Sequence, residues 1–145
     1  MENVENIIEL EWNNCVAAGH IGRDQKVVQT HIKELETLGI TAPEKVPSMY
    51  WIDPERVSTK KTLYVIGNKT SGEIEFFLAK DKIGELYVTV ASDHTDRETK
   101  KDSVSKAKQL CNKIIVENCW KVSDIRDHWD KIIISSKIKA NDNSP

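Results

Sequence analysis

The sequence has no long apolar run, few cysteines and almost no surplus of either charge, and each shortage excludes a class of protein. No stretch approaches the ~20 consecutive apolar residues that a membrane-spanning helix needs. Met1 to Leu10 is acidic and lacks the basic start of a secretory signal. Cys15, Cys111 and Cys119 are odd in number and show no metal-finger spacing. They read as free thiols, which places the chain in a reducing, cytoplasmic compartment. The 21 basic and 23 acidic residues leave a net charge of −2, without the basic surplus of a general nucleic-acid binder. Neither nucleic acid nor membrane is therefore expected as a partner. There is no internal repeat and no low-complexity tract.

What remains is ordinary for a globular chain: 145 residues, 39% hydrophobic and 30% charged. That length allows one domain with a real core, expected over residues 1–138, followed by a polar tail over 139–145. Alternation predicts strands over Ile7–Trp12, resumed at Cys15–Ala18, and over Thr62–Ile66, Glu73–Lys80, Glu85–Ala91 and Lys131–Ser136. Met49–Ile52 reads as a short extended segment. Asp24 is a fitting N-cap and Gly39 a C-terminal stop for a helix whose apolar face is Val27, Val28, Ile32, Leu35 and Leu38. Val104–Cys111 and Ser123–Trp129 read as short helices, Thr99–Asp102 as a polar loop, and Lys113–Trp120 stays open between strand and loop. The fold class is α+β, dominated by mixed sheet. The four tryptophans are too scattered to form a stacking platform and are assigned to the core.

The chemistry begins in Gly72-Glu73-Ile74-Glu75-Phe76-Phe77 and Ser92-Asp93-His94-Thr95-Asp96-Arg97. A strand sends alternate side chains to one face, so Glu73 and Glu75 lie side by side while Ile74, Phe76 and Leu78 take the packed face. Asp93, at the end of the next strand, supplies a third carboxylate. Three carboxylates beside an apolar wall repel one another unless a cation neutralises them, and hard divalent ions such as Mg²⁺ and Mn²⁺ favour such oxygen ligands. On spacing alone, a solvated sheet face is the commoner origin of Glu-x-Glu. His31 falls near the middle of the apolar helix stripe with Glu34 three residues on. A carboxylate beside an imidazole suits a general base that activates water. The plainer alternative is a core histidine satisfied by a backbone carbonyl. Arg97, four residues past Asp93, and Lys108, on the short helix, are candidate anion binders. For Lys108 a solvated face is the plainer account.

Taken together these segments resemble the fumarylacetoacetate hydrolase superfamily, most closely an uncharacterised bacterial branch with the Ser92–Arg97 segment. The family order is Gly-Arg, His-x-x-Glu, Pro-x-x-x-Pro, Glu-x-Glu, Asp-x-x-x-Arg and a later lysine. The chain has Gly22-Arg23, His31 and Glu34, Pro43 and Pro47, Glu73 and Glu75, Asp93 and Arg97, then Lys108. The resemblance implies a mixed β-sheet roll in which Glu73, Glu75 and Asp93 hold Mg²⁺ or Mn²⁺. It implies a water-activating dyad of His31 and Glu34 on a mobile lid, and substrate contacts from Arg97 and Lys108. The implied reaction is hydrolysis or decarboxylation at a C–C bond next to a carbonyl, in a small oxo-acid or 1,3-dicarbonyl. A homodimer is the implied assembly, and a non-catalytic binding or assembly module is the rival reading. The chain departs from the pattern in three places. Asp24 stands where the family has asparagine, Asp53 stands in place of a lysine, and nothing like the closing Thr-Gly-Thr-Pro loop follows Ser136. The chain is therefore expected to be C-terminally short, as a fragment or a reduced homologue.

Overall fold

A computed structural model describes residues 10–139 and shows a mixed α+β protein with three small sheets and few, mostly short helices. The hairpin of β5 (Ile74–Lys80) and β6 (Leu86–Ser92) is its spine, paired antiparallel from Ile74 opposite Ser92 to Lys80 opposite Leu86. Its turn is built by Asp81, whose Oδ1 accepts from the N–H groups of Ile83 at 3.0 Å and Glu85 at 2.8 Å. Gly84 sits at φ +93°, a left-handed conformation that a side chain would strain.

β6 continues the sheet to β8 (Lys113–Ile115), and β8 pairs in parallel with β3 (Val57–Ser58), so the sheet is mixed. β9 (Trp120–Lys121) pairs with the far end of β6. β1 (Cys15–Gly19) and β2 (Ser48–Ile52) form a separate antiparallel pair, as do β4 (Thr70–Ser71) and β7 (Thr95–Asp96). Ile52, Val57, Tyr87, Val88, Ala107, Cys111 and Ile115 are buried in the core.

The longest helix, α1 (Gln25–Thr37), starts and stops where its sequence dictates. Asp24 Oδ1 accepts from the N–H of Lys26 at 2.9 Å and, more weakly, of Val27 at 3.4 Å. Gly39, at φ +80°, donates to the Glu36 carbonyl at 2.9 Å and Ile40 to the Leu35 carbonyl at 3.0 Å, which satisfies the last carbonyls. The helix face is narrower than its periodicity predicts. Only Val28 and Ile32 are buried, while Val27 and Leu38 are exposed. With so little apolar area holding it, α1 should open more easily than the hairpin. Its amide protons are expected to exchange faster than those of β5 and β6. Equal protection in a hydrogen-exchange experiment would contradict a loosely held helix.

Several expectations fail for lack of a partner strand. Thr62–Ile66 is not a strand. It pairs with nothing among the described residues, and Tyr64 and Ile66 are 90% and 86% exposed. Lys131–Ser136 is a turn end followed by irregular chain, for the same reason. Leu10–Trp12 forms no strand, and the rest of that expected segment, like residues 140–145 of the tail, lies outside the described residues. Thr99–Asp102, read as a loop, is a helical turn, α2, which runs into α3 (Val104–Leu110). The open stretch resolves into β8, a loop and β9. Ser123–Trp129 becomes α4 (Val122–Ile125) and a 3₁₀ segment over Arg126–Lys131. Trp51 and Trp120 are exposed, not core.

Candidate metal and anion site

Hairpin register brings the three carboxylates together. Ile74 faces Ser92, so the residues just beyond, Glu73 and Asp93, face each other where the ladder ends. The Asp93 N–H donates to the Glu73 carbonyl at 2.8 Å and adds one more rung. Alternation then puts Glu75 on the same face. Gly72 leaves room beside Ser92, whose hydroxyl would have to turn away from a Cβ placed there. One carboxylate oxygen from each of Glu73, Glu75 and Asp93 lies within 4.8 Å of the others.

Four cations crowd this face. Asp93 is buried and paired with Lys108, from α3, and with Lys113, from the start of β8, whose Nζ lies 2.8 Å from Asp93 Oδ1. Lys113 also donates to the His94 carbonyl. Glu73 Oε1 takes both Arg97 Nη1 at 2.7 Å and Lys100 Nζ at 3.4 Å. Arg97 is further fixed by donating from Nε to Ser71 Oγ at 2.6 Å. Glu75 has no ion-pair partner among the described residues.

The titration behaviour follows from these contacts. Burial pushes the Asp93 carboxyl up, but Lys108 and Lys113 more than reverse this and hold it below the ordinary range. Glu73 behaves likewise: burial raises it, and Lys100 and Arg97 bring it below its usual value. Glu75 is raised, by burial and then by the neighbouring charge of Asp93. Lys113 is lowered, because burial outweighs its pairing with Asp93.

Glu73 and Glu75 form part of the wall of a cleft of about 500 Å³ that α1 also lines, with His20, His31, Arg97, Lys100 and Lys108. A smaller cavity of about 280 Å³, containing Cys15, Asp93 and Lys113, meets it at Glu75. His31 thus faces the carboxylates across open space. It is not the core histidine of the plainer reading, since its side chain is 59% exposed. Its Nδ1 lies 3.6 Å from Glu34 Oε2, longer than a hydrogen bond, and Glu34 stands outside the cleft lining. Lys108 is buried and does not lie on a solvated face.

Lys100 and Lys113 are not singled out by the sequence, and His20 reads there as structural only. Lys113 carried one usable signal: a lysine opening the apolar run Ile114-Ile115-Val116 must find a carboxylate if that run is a buried strand. Lys100 had none while Thr99–Asp102 read as a loop. His20 approaches His31, with ring centroids 6.3 Å apart, and its Nδ1 lies 3.1 Å from Ser48 Oγ.

A family model described as a protein of unknown function (DUF2848) matches residues 18–144. No curated protein and no solved structure matches the chain.

Proposed function

We propose, for this chain, which belongs to the DUF2848 family, a Mg²⁺- or Mn²⁺-dependent hydrolase or lyase that cleaves a C–C bond next to a carbonyl in a small oxo-acid or 1,3-dicarbonyl. The observation that carries the reading is the convergence of the Glu73, Glu75 and Asp93 carboxylates, two of which, Glu73 and Glu75, line the cleft that also holds His31. The donor set fits a hard dication: all oxygen, closely spaced, with Glu75 free of any ion pair among the described residues. Asp93 Oδ1 is buried and makes no aligned hydrogen bond despite its contact with Lys113. An incoming ion competes with Lys108 and Lys113 for Asp93, and with Arg97 and Lys100 for Glu73.

When bound, the ion supplies Lewis-acid polarisation of a substrate carbonyl. The chain's own groups do the rest. Arg97 and Lys108 hold the anionic head of the substrate and orient it in the cleft. His31, with Nδ1 turned toward Glu34, presents Nε2 to take a proton from water. Closure of α1 brings that base toward the bound substrate and excludes bulk water. The resemblance to the fumarylacetoacetate hydrolase superfamily supports this division of labour.

The full pairing of Asp93 and Glu73 by resident lysines and arginine favours a second reading, a binding module without turnover. Calorimetric titration with Mg²⁺ and Mn²⁺, followed by acylpyruvate and oxaloacetate cleavage assays, separates the two. Metal binding with turnover supports the enzyme, and metal binding without turnover supports the module. No metal binding removes both.

A homodimer accompanies this reading. β5 is an edge strand, and Met49, Trp51, Tyr64 and Ile66 leave apolar surface uncovered. Sedimentation at high micromolar concentration is expected to give twice the chain mass, and a stable monomer would count against it.

A further inference from the structure

We infer that the cleft selects a dianion, a 2-oxo acid with a second carboxylate, and that Lys100 is the residue that takes the second carboxylate. The inference rests on the oxo-acid reading above and narrows it.

Lys100 is an unusual residue for its place. It is the buried side chain of the one-turn helix α2 (Thr99–Asp102), whose other lysine, Lys101, is exposed. Burying an ammonium is costly unless it meets a carboxylate of its own. Lys100 does not have one. Its only carboxylate contact among the described residues is Glu73 Oε1 at 3.4 Å, an oxygen that Arg97 already holds more closely at 2.7 Å. Glu73 is satisfied without Lys100. An ammonium kept buried, second in line for its partner and lining an open cleft, is placed for an anion that the cleft receives.

Charge balance gives the number of negative charges. Arg97, Lys100, Lys108 and Lys113 face the three carboxylates, so the cluster carries a surplus of one positive charge. A bound dication raises the surplus to three. A monoanionic oxo-acid then leaves two buried positive charges without partners. A dianion returns the site to the single surplus that the fold already sustains. Position agrees with this count. Lys108 is anchored on Asp93 and Lys100 on Glu73, and both line the cleft. With Arg97 and Lys108 on the 2-oxo acid head, Lys100 is the ammonium left for a second carboxylate.

The test is calorimetric and uses 2-oxoglutarate and 2-oxopentanoate, which share five carbons and the 2-oxo acid head and differ in the distal carboxylate. Wild type loaded with Mg²⁺ is expected to favour 2-oxoglutarate by about tenfold or more, the worth of one charge-assisted contact. Lys100→Gln should bring the preference to within about threefold while 2-oxopentanoate binds as before, and Lys100→Arg should keep most of it. If Lys100→Gln does not fold by its melting curve, Lys100→Met retains the aliphatic stem and carries the same expectation. Equal affinities in wild type, binding of neither acid, or an unchanged preference in the variant each overturn the inference. A separate Mg²⁺ titration identifies the other failure. If the metal does not bind, the oxo-acid enzyme is refuted. The same two acids titrated into metal-free protein, where Lys100 is still second in line for Glu73, then decide on Lys100: weaker 2-oxoglutarate binding in Lys100→Gln than in wild type supports its role, and unchanged binding overturns it.

Discussion

Asp93→Asn should destabilise the metal-free protein by about 3 kcal/mol at neutral pH. The carboxylate is the shared partner of Lys108 and Lys113, and all three side chains are less than a tenth exposed. Asparagine keeps the shape but leaves two buried ammonium groups without a counter-charge, and one of them, Lys113, is already driven down by burial. Lys108→Met and Lys113→Met should each cost less, because Asp93 keeps one partner. The acid limb gives an independent reading. Asp93 titrates below its unfolded value of about 3.9, so its stabilisation is present above that pH and is lost as pH falls through the folded value. Asp93→Asn should therefore flatten the loss of stability below about pH 4. Chemical denaturation in the presence of a chelator measures both effects. A variant within about 1 kcal/mol of wild type would show that the cluster is not the electrostatic centre of this fold.

The parts of the fold legible in the sequence are those fixed by short-range physics. Asp24 and Gly39 bound α1 because a cap and a left-handed glycine act within one turn. The β5–β6 hairpin follows from alternation on both sides of the Asp81–Gly84 turn, and its register alone places Glu73, Glu75 and Asp93 on one face. Thr62–Ile66 has the alternation of a strand, yet a strand exists only where another offers a ladder, and none does among the described residues. The same long-range dependence hid half of the site. Lys113 reaches Asp93 because β8 pairs with β6, and Lys100 reaches Glu73 because α2 folds back after β7. Neither relation is encoded in local spacing. The carboxylates were visible because they are near one another along a hairpin, and Arg97 and Lys108 were visible as cations, but Lys100 and Lys113, which complete the neutralisation, were not.

The largest effect on turnover should come from His31→Ala, and its value lies in comparison with Glu75→Ala. His31 lines the cleft but is not among the clustered carboxylates, so its loss should cost about 10²–10⁴-fold in oxo-acid cleavage while Mg²⁺ affinity stays near wild type. Among the described residues Glu75 is the one carboxylate of the three with no resident cation to release, so an incoming ion meets least competition there. Its removal should weaken Mg²⁺ binding by at least about a hundredfold and take turnover with it. Acidification should mimic this variant in wild type. The folded Glu75 carboxyl titrates above the ordinary value of about 4.3, so protons displace the metal at a higher pH than an exposed glutamate would allow. The sign for stability is opposite to that of Asp93. Because folding favours the protonated Glu75, ionising it costs stability as pH rises from the unfolded value through the folded one. Glu75→Gln should therefore melt higher than wild type near neutral pH when metal is absent. Paired calorimetry and cleavage assays on wild type and both alanine variants separate the roles. Loss of metal affinity in His31→Ala would make it a ligand or a structural support, not the base. Unchanged metal binding in Glu75→Ala would remove the hairpin face as a metal site and leave its charges a structural cluster.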